Sequence, residues 1–131
     1  MATPLIAVVE ADPKKAWTLA WALEGAGYRV TWYRQVEHLL DEVMEFCPDV
    51  VLLASRRPRH YDRWQAASDL RVMGCAVIMA TADDAATREV GVSPRGRAFV
   101  DVVRVPYVPG SVLSVVAHTL ATYPYAVALG A

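Results

Sequence analysis

Apolar positions along this chain fall in short runs, and between the runs the apolar spacing changes to that of a helix. Leu5 to Glu10, in "PLIAVVE", predict a first strand. Asp12 as N-cap and Pro13 as first helical residue then open a helix. Ala16, Leu19, Ala20 and Leu23 repeat as its buried stripe, and Gly25-Ala26-Gly27 ends it. "YRVTWY" alternates as a second strand. A second helix follows over Val36 to Phe46, with Val36, Leu39, Leu40, Val43 and Met44 buried and Asp41, Glu42 and Glu45 wet. Pro48 stops it. "DVVLLA" predicts a third strand, "DRWQAASDLRVM" a third helix ending at Gly74, and "CAVIMA" a fourth strand. "DDAATREVGV" predicts a short fourth helix, "SPRGR" a loop, "AFVDVVRV" a fifth strand and "PGSVLSVVAHTLATY" a fifth helix.

Strands alternating with helices predict βα units and a parallel sheet covered on both faces. The near-continuous aliphatic strands agree, because strands buried on both sides lose their polar alternation. Five such units make a doubly wound α/β sandwich. The Gly25-Ala26-Gly27 stretch is not a dinucleotide loop. It lacks a third glycine, and it follows a helix and precedes a strand, the reverse of a phosphate-binding turn.

The 131 residues are one domain's worth of chain, and 55% of them are hydrophobic, enough for a core without disulfides or a structural metal. No apolar run approaches the roughly 20 residues of a membrane helix. The amino-terminal stretch has no basic leader, so a cytoplasmic protein is expected. A formal net charge of -1 gives no global attraction to nucleic acid or to an anionic membrane. Cys47 and Cys75 form no CxxC pair and have no histidine at metal spacing, so they read as free, small core residues. His38, His60 and His118 sit on separate elements and read as structural or surface residues.

Five segments together carry a family resemblance. "VVEADP", the helix ending "LEGAGYRV", "CPDVVLLA" with a proline four residues later, "CAVIMATA", and "VVRVPY" before a last helix occur in the order of the bacterial response-regulator receiver domain. The chain resembles that family over about residues 4–122. The resemblance implies a flavodoxin-like, CheY-like three-layer sandwich with parallel strand order 2-1-3-4-5. It sets a receiver-like domain at 1–122 and an apolar tail at 123–131.

Receivers accept a phosphoryl group on an aspartate at the end of the third strand. The resemblance therefore implies a carboxylate nucleophile and two acidic residues after the first strand to help hold Mg²⁺. It also implies a lysine after the fifth strand and a hydroxyl after the fourth. In this sequence the nucleophile position is Ala54. The acidic pair is Glu10 and Ala11, and Asp12 next to it is the helix cap. The lysine position is Val105, the hydroxyl position keeps Thr81, and the switch aromatic of the fifth strand is Val102. The resemblance thus implies a degenerate pseudo-receiver with no metal, no cofactor and no enzymatic activity. Its expected role is phosphorylation-independent protein contact or dimerisation in two-component-type phosphorelay signalling. With Asp and Lys replaced by Ala and Val, the pocket is expected to be collapsed and partly apolar.

Two other readings stand beside this one. Ser55 is a substitute acceptor if phosphoryl transfer survives. Arg56, Arg57 and Arg59, with Arg104, form a small anion or nucleotide sensor if the arginine-rich loop after the third strand binds ligand; solvated arginines paired with Asp62, Asp83 or Asp84 are the simpler account of that loop. For protein contact, Trp17 and Trp21 sit four residues apart, well around the first helix from its buried stripe. They form either an exposed interface or packing against the fifth helix. The family's usual dimer face maps to "VVRVPYVPGSVLSVV", which adds Val102, Arg104, Tyr107 and Val112. Trp32 and Trp64 read as core or core-edge. The apolar tail is expected to dock on the domain or contact a second copy, and Pro106 permits a cis peptide.

Overall fold

Every residue of the strands Val50–Leu53 and Ala76–Thr81 is buried, as expected of strands covered on both faces. They lie in the middle of one five-stranded parallel sheet in a computed structural model that describes residues 3–54 and 62–123. The strands are β1 (Leu5–Val9), β2 (Arg29–Tyr33), β3 (Val50–Leu53), β4 (Ala76–Thr81) and β5 (Asp101–Arg104). Their order is β2-β1-β3-β4-β5. Edge strands β2 and β5 are only partly buried. The helices are α1 (Pro13–Gly25), α2 (Val36–Phe46), α3 (Arg63–Val72), α4 (Asp84–Glu89) and α5 (Pro109–Thr122).

Successive strand residues point to opposite faces, so the sheet feeds two cores. Ala7, Val9, Val51, Leu53, Val77 and Met79 pack with Leu39 of α2, Leu70 of α3 and Phe99. Ile6, Val8, Val50, Leu52 and Ile78 pack with Leu19 and Leu23 of α1 and Val112 and Val116 of α5. The chain leaves β1 toward one edge of the sheet and β3 toward the other. That reversal opens a crevice at the carboxyl ends of β1 and β3, where ligands bind in such folds.

The caps explain the helix starts. Asp12 accepts a hydrogen bond from the Lys14 N–H at 2.9 Å, Asp62 from Trp64 at 2.7 Å, and Asp83 from Ala85 at 2.9 Å. The fifth strand is shorter than its apolar run. Ala98 closes a 3₁₀ turn (Gly96–Ala98), and Phe99, with extended backbone, plugs the core. There it meets Trp64 edge-on, with ring centroids 5.5 Å apart. Met44, expected on the buried side of α2, is 77% exposed, because Val36, Leu39 and Val43 already fill the contact with the sheet. Tyr123 packs against the α1/α5 core beneath the Arg71 guanidinium, 5.7 Å from its ring. Residues 124–131 of the tail lie outside the described residues.

Both cysteines are free, but only Cys75 is a core residue; Cys47 is exposed at the left-handed cap of α2. Burial pushes the Cys75 thiol up to about 12, and Cys47 and Asp49 add to the shift. At pH 8 roughly one Cys75 in ten thousand is thiolate, and it is shielded as well. A maleimide or disulfide reagent is therefore expected to label one thiol, Cys47, in the native protein and both after unfolding. Rapid native labelling of both, read by intact mass, would contradict the placement of Cys75.

Candidate functional site: the carboxyl end of the sheet

The parallel register brings the carboxyl ends of β1, β3, β4 and β5 to one edge: Val9 lies beside Leu53, Leu53 beside Met79, and Thr81 beside Arg104. Glu10, Ala54, Thr81 and Val105 therefore sit at this edge. Glu10 is 6% exposed; its N–H donates to the Tyr33 carbonyl at 3.0 Å, and its own carbonyl accepts the Trp32 indole N–H at 2.8 Å. Trp32 thus ties the edge strand to the start of the crevice, although 43% of it is exposed. Ala11 is exposed. The carboxylate of Asp12 is turned into its cap.

Ala54 is 8% exposed, and its N–H donates to the Val9 carbonyl at 2.9 Å, extending the β1–β3 ladder by one residue. Its methyl group is all that β3 offers the crevice. Thr81 is buried, and its Oγ1 accepts the Asp83 N–H at 3.0 Å. The hydroxyl builds the turn into α4. The Val105 N–H donates to the Thr81 carbonyl at 3.1 Å, and the Val105–Pro106 peptide is cis.

Among the described residues, Arg104 and Arg63 at this end are paired. Arg104 meets Asp84 at 2.5 Å and donates to Thr87 Oγ1 at 3.3 Å. Arg63 stands 3.9 Å from Asp83 and 5.2 Å from the centre of the Trp64 ring. Glu10, Ala54 and Thr81 are buried, and beside Thr81 a cleft of about 390 Å³ is lined by Arg63, Thr81, Ala82 and Asp83. Ser55, Arg56, Arg57 and Arg59 lie outside the described residues.

These groups do not fit Mg²⁺, which receivers use. A small hard cation needs several oxygen donors and gives up water reluctantly. This edge supplies the Glu10 carboxylate where the family supplies three, since Ala11 and Ala54 have no side-chain oxygen. Among the described residues no three His, Cys, Asp or Glu side chains are grouped to hold a metal.

The surface candidates divide. Trp17 and Trp21 are 67% and 66% exposed, so the alternative of packing against α5 is not what the first helix does with its rings. Val112, expected on the dimer face, is a correction: it is fully buried against the sheet in the α1/α5 core. Val102 is half-buried against the opposite core, and Tyr107 is half-buried against the α1/α5 core. Arg104 is exposed but already paired.

The sequence reading missed one cluster. Arg95 forms a two-pronged bond to Glu89 at 2.8 and 2.6 Å and lies 4.4 Å from the centre of the Trp64 ring. Hydrogen bonding to Arg95 holds the Glu89 carboxyl below the ordinary range. Only the opposite charges near one another in the sequence hint at it.

No protein-family model matches the sequence, and no curated protein does. The architecture does match solved structures. The chemotaxis response regulator CheY4 of Vibrio cholerae superposes with a TM-score of 0.77 at 14% identity, over 91% of this chain and 100% of that one. A two-component response regulator from Clostridium difficile gives 0.76 at 16% identity, over 91% and 97%. The BeF3-activated DrrB receiver domain gives 0.75 at 23% identity, over 92% and 99%. The fold is the flavodoxin-like, CheY-like fold of response-regulator receiver domains, as the ordered segments of the sequence imply. Among the described residues no helix is long and apolar enough to cross a membrane.

Proposed function

We propose that this chain is a phosphorylation-independent pseudo-receiver, a cytoplasmic protein-interaction module of two-component-type signalling and not an enzyme. The observation that carries the reading is Ala54, a methyl group at the end of β3 where a receiver presents its acceptor carboxylate. Its neighbours agree. Ala11 removes a metal ligand, Val105 removes the amine that would pair with phosphoryl oxygens, and the Thr81 hydroxyl is engaged in its own turn. Without the acceptor carboxylate, the second acidic residue or the lysine, the described residues at this edge lack the groups with which a receiver neutralises the charge of a transferring phosphoryl group. The fold and its rigid surfaces remain, and surfaces are what a docking module uses. Arg63 and Arg104 are occupied by Asp83 and Asp84, so the described residues lend no support to an anion sensor.

The test is incubation with acetyl phosphate and Mg²⁺, followed by intact mass measurement. No phosphoryl adduct is expected, on Ser55 or elsewhere, and no change in melting temperature. A stoichiometric adduct would end this reading.

A further inference from the structure

Helix α1 carries a stripe that the fold does not use. Lys14, Trp17, Trp21 and Glu24 are all exposed, at successive intervals of three, four and three residues. That is the a/d spacing of a seam between two helices. The opposite face of α1, through Ala16, Leu19, Ala22 and Leu23, already packs on the sheet. The two indoles stack on one another, with centroids 6.3 Å apart and planes 17° from parallel. They present flat apolar rings to water.

The charges at the two ends of the stripe are the wrong way round for the helix. Lys14 stands in the first turn and Glu24 in the last, while α1 has no acidic residue in its first turn and no basic one in its last. The helix dipole favours the opposite arrangement. Neither side chain joins an ion pair among the described residues. Their placement therefore serves neither the helix nor the domain.

It does suit a second copy. Positions 14 and 24 are equidistant from residue 19, and so are 17 and 21. We propose that α1 pairs antiparallel with α1 of a second copy, about a two-fold axis that crosses the exposed stripe at the level of residue 19. This sets Lys14 against the partner's Glu24 and Trp17 against the partner's Trp21, each contact made twice, as a two-fold interface requires. A groove of about 480 Å³ flanks Trp21, lined by Ala22, Glu24, Gly25, Pro109 and Leu113. The same symmetry brings the partner's Trp17 beside it. This deepens the interaction-module reading and rests on it, by naming the partner as a second copy.

The four rings contribute about 650 Å² of the roughly 1,200 Å² that a specific interface needs. The groove and the stems of Lys14 and Glu24 add to this, which leaves the interface at or below that size. The dimer belongs to the weak, concentration-dependent class. The experiment is sedimentation equilibrium from about 10 µM to 1 mM, the range suited to such interfaces, with and without acetyl phosphate and Mg²⁺. Reversible dimerisation, unchanged by the phosphodonor, is expected. Lys14→Glu alone and Glu24→Lys alone each weaken association about tenfold or more, because each sets like charges opposite one another twice. The double variant recovers it, and an equimolar mixture of the two single variants forms the mixed dimer. Trp17→Ala or Trp21→Ala removes the dimer. Both charge reversals agree with the helix dipole, so melting temperatures of the single variants are not expected to fall. Weaker association then cannot be ascribed to unfolding. A chain that is monomeric throughout, or a dimer indifferent to the reversals, overturns the α1 pairing and leaves the interaction-module reading in place. A mass that changes with the phosphodonor overturns phosphorylation independence instead, whatever the reversals do.

Discussion

Ala54→Asp, which returns a carboxylate to the end of β3, is expected to lower stability by about 2–4 kcal/mol at pH 7 and to yield no phosphoprotein. For a domain of this size that is a fall in melting temperature of roughly 10 °C. The position is 8% exposed, and the acidic side chain at the end of the neighbouring strand, Glu10, is itself buried. Burial and a nearby carboxylate both raise the pKa of the introduced group above its unfolded value of about 3.9. In the folded protein it then binds a proton that the unfolded chain has released. The sign follows: relative to the parent at the same pH, the variant loses stability as pH rises above about 4 and keeps the deficit at neutrality. At pH 4 the difference should shrink to about 1 kcal/mol or less. Adding Val105→Lys should recover part of the loss at pH 7, since Val105 is half-buried and an ammonium there can reach the new carboxylate. Urea melts of the three proteins at pH 4 and 7 measure this. A variant as stable as the parent that also takes phosphoryl from acetyl phosphate would mean that the crevice kept its machinery.

Local chemistry made much of this architecture legible. Helix α2 runs over Val36–Phe46 as its periodicity predicts, because its stripe begins at Val36 and Pro48 closes it. Asp12, Asp62 and Asp83 mark three helix starts for the same local reason. The crevice positions follow from topology, since every strand end of a parallel sheet meets the same edge. What could not be read depends on contacts between distant residues. The family resemblance assigns Val112 to the contact face, and only the docking of α5 shows that it faces the sheet. Met44 and Val43 are adjacent on one helix, and the sheet has room for one of them. The indole bond from Trp32 to the Glu10 carbonyl joins residues 22 apart and leaves no trace in either segment. Trp17 and Trp21 are the reverse case. Their angular distance from the buried stripe is a property of one helix alone, but whether α5 covers them is not, and only the structure leaves both rings exposed.

Gly96→Ala is expected to cost about 3 kcal/mol, although the substitution adds one methyl group and "SPRGR" reads as an ordinary loop. A Cβ at Gly96 would lie 1.8 Å from the Glu89 carbonyl oxygen, 2.5 Å from its carbon and 2.9 Å from Ser93 Oγ. The nearest of these atoms are backbone, so no side chain can turn aside. The Glu89 carbonyl is also the hub of the turn after α4, accepting the N–H groups of Val92 at 3.0 Å and Ser93 at 3.1 Å. Gly96 is held in its turn, its N–H donating to Ser93 Oγ at 3.0 Å and its carbonyl accepting from Gly91 at 2.9 Å. Making room means breaking several of these bonds, each worth about 1 kcal/mol, or moving the segment that carries Phe99 into the core. Gly110 in the first turn of α5 is the matched control, since a Cβ there would meet no atom within 4 Å. There the alanine has space and a helical backbone, and Gly110→Ala should be neutral or stabilising by up to about 1 kcal/mol. Thermal melts of the two variants separate backbone freedom from close approach. If Gly96→Ala melts with the parent, the α4–β5 connection is looser than these contacts require, and Phe99 is held by the core alone.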